Sequence, residues 1–411
     1  MKIKDYIIEI LIISGSILLL VLSKDPILYS DSSRYLMNEN LLDPPLYPLM
    51  IKLITLIFGS LNFVVVLQIL FIGLSIIYFT RTISMYFDLN LSIEIFVSLL
   101  LFLPTLKFYN TIMTESFSYA LTLMFVSFVV KLIFNFNIQN LVFVNIFVLL
   151  LLLTRTQFLI LYPVILILYS GILILNTSKK NFTLLFVSFL SIILIHNLFT
   201  SLNTYIIKKS SKADLPYNVD IGPYFYTFID AIYISSAKDV ELFDNKNSQK
   251  ILTKIFKEMD NQKALVKYYN SRGHFGLSLS KIKNYSKPLM LELSSQTNID
   301  IITLKKEISI KLLKANFYKY IKHIFKKFYD STWLFVFVPF FMLLASLNNF
   351  IKYKRNFSLL VIFLSSFSIS NHSMIYLFGR IQPRYFIYTD FILLIFILII
   401  FNIFLQKKEI G

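Results

Sequence analysis

The sequence predicts an all-α polytopic membrane protein. It would have about ten transmembrane helices, a re-entrant or juxtamembrane helix in the first external loop, and one soluble external domain. Three observations predict this. The 411-residue chain is 56% hydrophobic and 17% aromatic, with a mean hydropathy of +0.69, and a soluble protein of this size would expose too much of that surface to water. Several apolar runs approach the roughly 20 residues that cross a bilayer as a helix. Those runs lack period-two alternation, which argues against a β-barrel.

The first apolar run, 6–23, follows the basic start Met1-Lys2-Ile3-Lys4. No small-residue cleavage site comes after it, so it reads as a retained helix and not a cleaved signal. Further spans are expected near 61–80, 92–107, 116–134, 139–154, 157–175, 182–200, 331–348, 357–378 and 385–405. The run 46–58 is too short to span comfortably, and its flanking prolines suit a re-entrant or interfacial helix. Lys2, Lys4, Arg81, Lys179-Lys180, Lys352, Lys354, Arg355 and Lys407-Lys408 then share one face. The positive-inside rule makes that face cytoplasmic, with both termini on it. Lys24, Arg34, Lys107, Arg155, Arg380 and Arg384 fall on the external face, against the bias, which marks them as functional candidates.

The division into parts follows. Residues 1–200 form an N-terminal transmembrane module, with an external loop over 24–60. Residues 201–330 form an external, Lys-rich, mostly helical segment, and 331–411 carry the C-terminal membrane helices. The middle segment has the size of a small domain. It ends in "KEISIKLLKANFYKYIKHIFKKFYD", where apolar residues at helical spacing alternate with lysines, as in a helix lying on a membrane surface or on the domain itself.

The net charge of +17 suits anionic lipid head groups and lipid-linked phosphates; no nucleic-acid motif accompanies it. The absence of cysteine removes disulfides, thiolate metal sites and Cys nucleophiles. His196, His274, His323 and His372 are scattered without i,i+4 metal spacing. His323 reads as a surface residue of the Lys-rich helix, and His372 lies towards the external end of its helix. Glycine-rich phosphate loops and a nucleophile elbow are absent too.

Four stretches carry chemistry. Between the first two apolar elements stands "YSDSSRYLMNENLLDPPLYPLM", with Asp31, Tyr35 four residues on, and then Pro44-Pro45-Leu46-Tyr47-Pro48-Leu49. "MTESFSYALTLM" (113–124) opens a helix with Glu115, "LLTRTQFLILYPV" (152–164) holds Arg155, and "RIQPRYFIYTD" (380–390) holds Arg380 and Arg384. In this order, with a soluble segment before the last helices, the set covers most of the chain. It resembles the polyprenol-dependent glycosyltransferases of the GT-C superfamily, to which the protein mannosyltransferases and the aminoarabinose transferases of lipid A belong. Many members carry a second acidic residue beside the first. Here Ser32 follows Asp31, a departure that argues against a two-carboxylate metal site in this loop.

The resemblance implies a sugar donor on a polyprenyl phosphate and a lipid, glycan or protein acceptor. It implies Asp31 as the base that deprotonates the acceptor. Arg155 with Arg380 or Arg384 would hold the departing phosphate through their planar forks. Glu115 would orient the acceptor or assist Asp31, and Tyr35 and Tyr47 would line the donor site. The resemblance fixes no cofactor; a divalent cation stays open, since the family has members of both kinds. Structural readings stand beside these. Asp31 can cap a helix, Glu115 can stabilise a helix N-terminus, the arginines can be interface anchors, and Tyr35 and Tyr47 can be packing residues. An O-antigen polymerase or ligase would place its chemistry in the long loop, at Arg272 and His274. A transporter or lipid flippase would need polar residues inside the membrane and an inverted repeat, and a plain scaffold would need no acidic–basic cluster. The isoleucine-, lysine- and asparagine-rich composition is that of an AT-rich, bacterial coding sequence, which would put the protein in the inner or plasma membrane.

Overall fold

The computed structural model describes residues 6–23, 25–29, 32–37, 44–176, 178–209, 225–269, 274–299, 301–378, 388–390, 392–393 and 396–397. Among the described residues the chain is almost wholly helical, and extended backbone pairs at a single parallel bridge, Ile27 with Thr111. Among the described residues, six helices are long and apolar enough to cross a membrane, and four apolar helices are shorter. The protein is therefore a helical membrane protein.

The helices fall into two compact units. The first comprises residues 1–213, 337–372 and 382–411. It contains α1 (Ile7–Leu22), α2 (Ser32–Met37), α3 (Leu46–Phe58), α4 (Asn62–Phe87), α5 (Leu91–Phe102), α6 (Thr105–Phe108), α7 (Thr114–Phe134), α8 (Ile138–Leu152), α9 (Leu161–Leu175) and α10 (Lys179–Lys209). The second comprises 214–336 and 373–381, with α11 (Phe225–Ile234), α12 (Lys246–Asn261), α13 (His274–Thr297) and α14 (Ile301–Ala315). Two more helices, α15 (Phe317–Tyr353) and α16 (Asn356–Phe378), contribute residues to both.

Local chemistry sets the helix ends. The short apolar run after the double proline forms α3, with Pro45 at its N-cap and Gly59 closing it at φ 70°, a left-handed C-cap that glycine adopts without a Cβ clash. Asn90 and Asn137 cap α5 and α8 by accepting from the backbone N–H of Ile93 and Asn140, which satisfies donors the helix leaves open. The expected span 61–80 runs on to Phe87 in α4.

In the first unit α4 and α7 pack most extensively against each other, and α7 is buried on nearly every side. Such all-round apolarity belongs to a helix at the centre of a bundle. Phe125 on α7 meets Phe363 and Phe367 of α16 edge-on, a favoured aromatic geometry. Small residues allow close approach elsewhere. A Cβ on Gly171 of α9 would stand 2.1 Å from Leu359 Cδ1 of α16, and one on Gly73 of α4 would stand 2.8 Å from Ser16 Oγ of α1.

The second unit has its own core. On α12, Ile251, Leu252, Ile255, Phe256 and Met259 recur at helical spacing and are all buried, joined by Phe228, Ile232, Ile282 and Ile308. One group in this core corrects the sequence expectation. His323 is buried, not a surface residue, because it sits on the face of α15 that packs inward. Its Nε2 lies 3.2 Å from Asp230 Oδ1, and Lys327 Nζ donates to both Asp230 oxygens at 2.8 Å. The alternation of lysines had suggested a solvated face, but Lys327 turns inward with the histidine four residues before it.

Candidate functional site: a buried Glu–Arg–Tyr cluster

The first connection is stitched to the segments that carry Glu115 and Arg155. Tyr29 N–H donates to Ser32 Oγ at 2.9 Å, and Ser32 Oγ in turn donates to the Ile112 carbonyl at 2.8 Å. Ile27 N–H donates to the Asn110 carbonyl at 2.7 Å, and Ile112 N–H to the Ile27 carbonyl at 3.2 Å. The other flank is fixed by Leu46 N–H, which donates to the Leu153 carbonyl at 2.8 Å. Ser32 is thus tied three residues before Glu115, and Leu46 two residues before Arg155. Backbone donors in a connecting segment need partners once water is displaced, and here the partners lie in these two turns.

Glu115 stands in the first turn of α7, where a carboxylate is favoured by the helix dipole. Arg155 is the N-cap of a 3-10 turn, Thr156–Ile160. Its Nη1 lies 3.2 Å from Glu115 Oε1, with both side chains largely buried. The same nitrogen donates to Tyr388 Oη at 2.6 Å, and the guanidinium carbon lies 5.6 Å from the Tyr388 ring centre. A small cavity lined by Glu115, Ser116, Tyr119, Tyr388, Thr105 and Phe108 adjoins the cluster, with room for about one water.

A second polar chain starts beside it. Gln157, two residues beyond Arg155, donates to Asn371 Oδ1. Asn371 Nδ2 donates to Thr389 Oγ1 at 3.1 Å, and Thr389 Oγ1 to Asp390 Oδ1 at 3.2 Å. His372 Nε2 lies 3.4 Å from Asp390 Oδ1, while its Nδ1 is 2.8 Å from the Ser368 carbonyl. Three successive residues, Tyr388, Thr389 and Asp390, therefore each hold a different polar partner.

The structure brings Glu115 and Arg155 together. Tyr47 is fully buried and accepts from Gln68 Nε2 at 2.7 Å, with its ring against Tyr35 edge-on at 5.3 Å and against Phe117. These contacts suit the packing role that the sequence offered for Tyr47 beside a place in the donor site. Tyr35 is half-buried and carries Arg34 over its ring at 5.8 Å. Asp31, Arg380 and Arg384 lie outside the described residues. Of the pair that a loop-based chemistry would use, Arg272 also lies outside them. His274 is buried with Nδ1 3.0 Å from Tyr233 Oη and Nε2 3.1 Å from the Lys263 carbonyl. Sequence reasoning passed over Tyr388, Gln157 and Asp390, although they stand inside the stretches that hold Arg155 and Arg384. A phenol, an amide and a carboxylate within runs bound for the membrane were the signal.

Among the described residues no group of three or more His, Asp or Glu side chains could hold a metal ion. These residues do not make the oxygen-rich donor set a divalent cation needs.

No protein-family model matches the chain, and no curated protein or solved structure matches it significantly. What fold and geometry establish is a helical membrane protein with an ion pair and a phenol buried at the mouth of α7.

Proposed function

We propose that the chain is an integral membrane glycosyltransferase of the GT-C kind, moving a sugar from a polyprenyl-phosphate carrier to an acceptor on the external face of a bacterial membrane. The supporting observation is the double tethering of the first connection. Ser32 and Leu46, on either side of the segment with the double proline, are bonded beside Glu115 and Arg155. The described residues that flank Asp31 and the double proline are thus bonded next to Glu115 and Arg155.

In this reading the acceptor hydroxyl or amine attacks the anomeric carbon. The bond from that carbon to the phosphate oxygen breaks, and the phosphate leaves with the electron pair. Asp31 takes the acceptor proton. Arg155, held by Tyr388, faces the charge that grows on the leaving phosphate, the place where an oriented cation lowers a barrier most. Glu115 fixes the guanidinium and orients the acceptor. The test is release of polyprenyl phosphate from a lipid-linked sugar by the purified protein in lipid nanodiscs. Asp31→Asn is expected to abolish release while the protein stays folded; full activity in that variant removes Asp31 as the base.

A second reading, a transporter or flippase, is favoured by one observation. His372 and Asp390 form a buried acid–base pair in the membrane unit, and buried ionisable groups in such segments mark ion or proton paths. Passage of an intact lipid-linked sugar across a liposome bilayer, with no release of polyprenyl phosphate, would select it.

A further inference from the structure

The first turns of α15 divide into three sectors. At 3.6 residues per turn, Phe317, Ile321, Phe325 and Tyr318 fall within an arc of about 100°. All four are exposed: Tyr318 is 81% accessible, Phe325 71%, Phe317 64% and Ile321 37%. Next around the helix come the exposed Lys322, then Lys326, half-buried with its ammonium over the Tyr269 ring, and Lys319, exposed and donating to Asn316 Oδ1 at 2.7 Å. The remaining sector, with His323, Lys327 and Ile324, is buried on the second unit. The inward face is thus occupied by the unit's own core, and the outward face is an aromatic stripe bordered by lysines. Single exposed apolar residues are ordinary on a protein surface, but four on one stripe are not.

We infer that this stripe is a docking face for an anionic lipid surface, with Phe317, Tyr318, Ile321 and Phe325 entering the head-group region and Lys319, Lys322 and Lys326 meeting lipid phosphates. Two features select lipid over another protein. The border of the stripe carries one sign of charge only, which complements an anionic membrane surface. The apolar segment Phe337–Tyr353 also follows soon after in the sequence, so the stripe is close along the chain to a stretch suited to the membrane. Aromatic rings on one side and lysines on the other are the composition of an interfacial helix. The inference stands apart from the transferase reading, because it requires only that the protein is membrane-bound.

The absence of cysteine makes the test direct. Single cysteines replace Tyr318, Phe325 or, as a control on the exposed side of α12, Lys254. Each carries a bimane label in the full chain in nanodiscs, made of phosphatidylcholine alone or with phosphatidylglycerol. With phosphatidylglycerol, lipid-borne nitroxide is expected to quench the 318 and 325 labels several-fold more than the 254 label, and aqueous iodide several-fold less. Lys319→Gln/Lys322→Gln/Lys326→Gln should bring the contrast down to that in phosphatidylcholine alone. Equal iodide access at 318, 325 and 254 overturns the inference. Protection from iodide without nitroxide quenching overturns it too, since protein then covers the stripe. A contrast indifferent to lysines and lipid charge removes the anionic surface as the partner.

Discussion

Breaking the Glu115–Arg155 pair should destabilise the membrane unit far more than breaking both halves at once would suggest. The two side chains are largely buried and 3.2 Å apart. Removing one partner of such a pair costs about 3–5 kcal/mol, because the other charge stays buried without compensation. Arg155→Gln leaves the Glu115 carboxylate in that position and also removes the bond to Tyr388, so it should sit at the upper end. Glu115→Gln leaves a guanidinium that keeps Tyr388 Oη at 2.6 Å, and should cost less. In Glu115→Gln/Arg155→Gln neither charge remains, so the double variant should be more stable than the sum of the singles by at least about 1 kcal/mol. Equilibrium denaturant unfolding in mixed micelles, followed by near-ultraviolet circular dichroism, reads all four proteins. Additivity within about 0.3 kcal/mol would mean that the pair is solvated or unformed, and the cluster could then not serve as a preorganised site.

Asp230→Asn should cost the second unit about 3–5 kcal/mol, since it leaves Lys327 buried without its counter-charge; hydrogen exchange of α11 and α15 in the full chain would report it. Acid should also loosen that unit. Burial pushes the Asp230 carboxyl up, but Lys327 and His323 outweigh it and hold it below its ordinary 3.8. His323 is pushed below its ordinary 6.5, first by burial, with Asp230 pulling the other way and the Lys327 charge adding to the depression. Both groups bind protons more readily in the unfolded chain, so stability is lost as pH falls. The loss begins below about 6.5 for His323 and below about 3.8 for Asp230, and His323→Gln should flatten the upper part of that curve. Gly171→Val should lower the thermal midpoint, because a Cβ there meets Leu359 Cδ1 at 2.1 Å and overpacking of this kind costs about 1–3 kcal/mol; an unchanged midpoint would mean that Leu359 simply rotates away.

The sequence exposed the helical membrane class because bilayer crossing leaves a long apolar run that composition cannot hide. The run 46–58 emerged as a helix with those bounds, since Pro44-Pro45 and Gly59 punctuate it at both ends. What the runs could not show was which side chains meet. Glu115 and Arg155 are separated by a whole helical hairpin, and nothing in their spacing states that α7 and the turn after α8 put them 3.2 Å apart. Tyr388 was hidden for another reason: a tyrosine near a membrane border is ordinarily an interface anchor, and only its bond to Arg155 gives it another role. Tyr47 stands in a motif that suggested a ligand contact or packing, and the sequence did not show that Gln68 and Phe117 are its neighbours. His323 was misread since a lysine every three or four residues looks like a solvated face until Asp230, nearly a hundred residues upstream, is seen to receive both Lys327 and the histidine.

The charge balance of the proposed donor site carries its own consequence. A polyprenyl-phosphate sugar is a phosphodiester with one negative charge. Bound at Arg155, it would share one guanidinium with Glu115, leaving two anions to one cation. At about 4 Å and an effective dielectric near 20, each such pair is worth about 4 kcal/mol, so attraction to Arg155 is largely offset by repulsion from Glu115. Arg155 alone is therefore too little, and a second cation must complete the site; Arg380 and Arg384 are the arginines expected to supply it. Loss of one charge-assisted contact costs about 1.5–3 kcal/mol, so Arg380→Gln or Arg384→Gln should raise the donor KM by roughly 10- to 150-fold. Glu115→Gln should move it the opposite way, lowering donor KM even where acceptor orientation suffers and kcat falls. Titration of a lipid-linked sugar donor against each variant in nanodiscs gives both signs. If Glu115→Gln weakens donor binding as Arg155→Gln does, the carboxylate is not competing with phosphate for the guanidinium but holding it in place, and the charge argument fails.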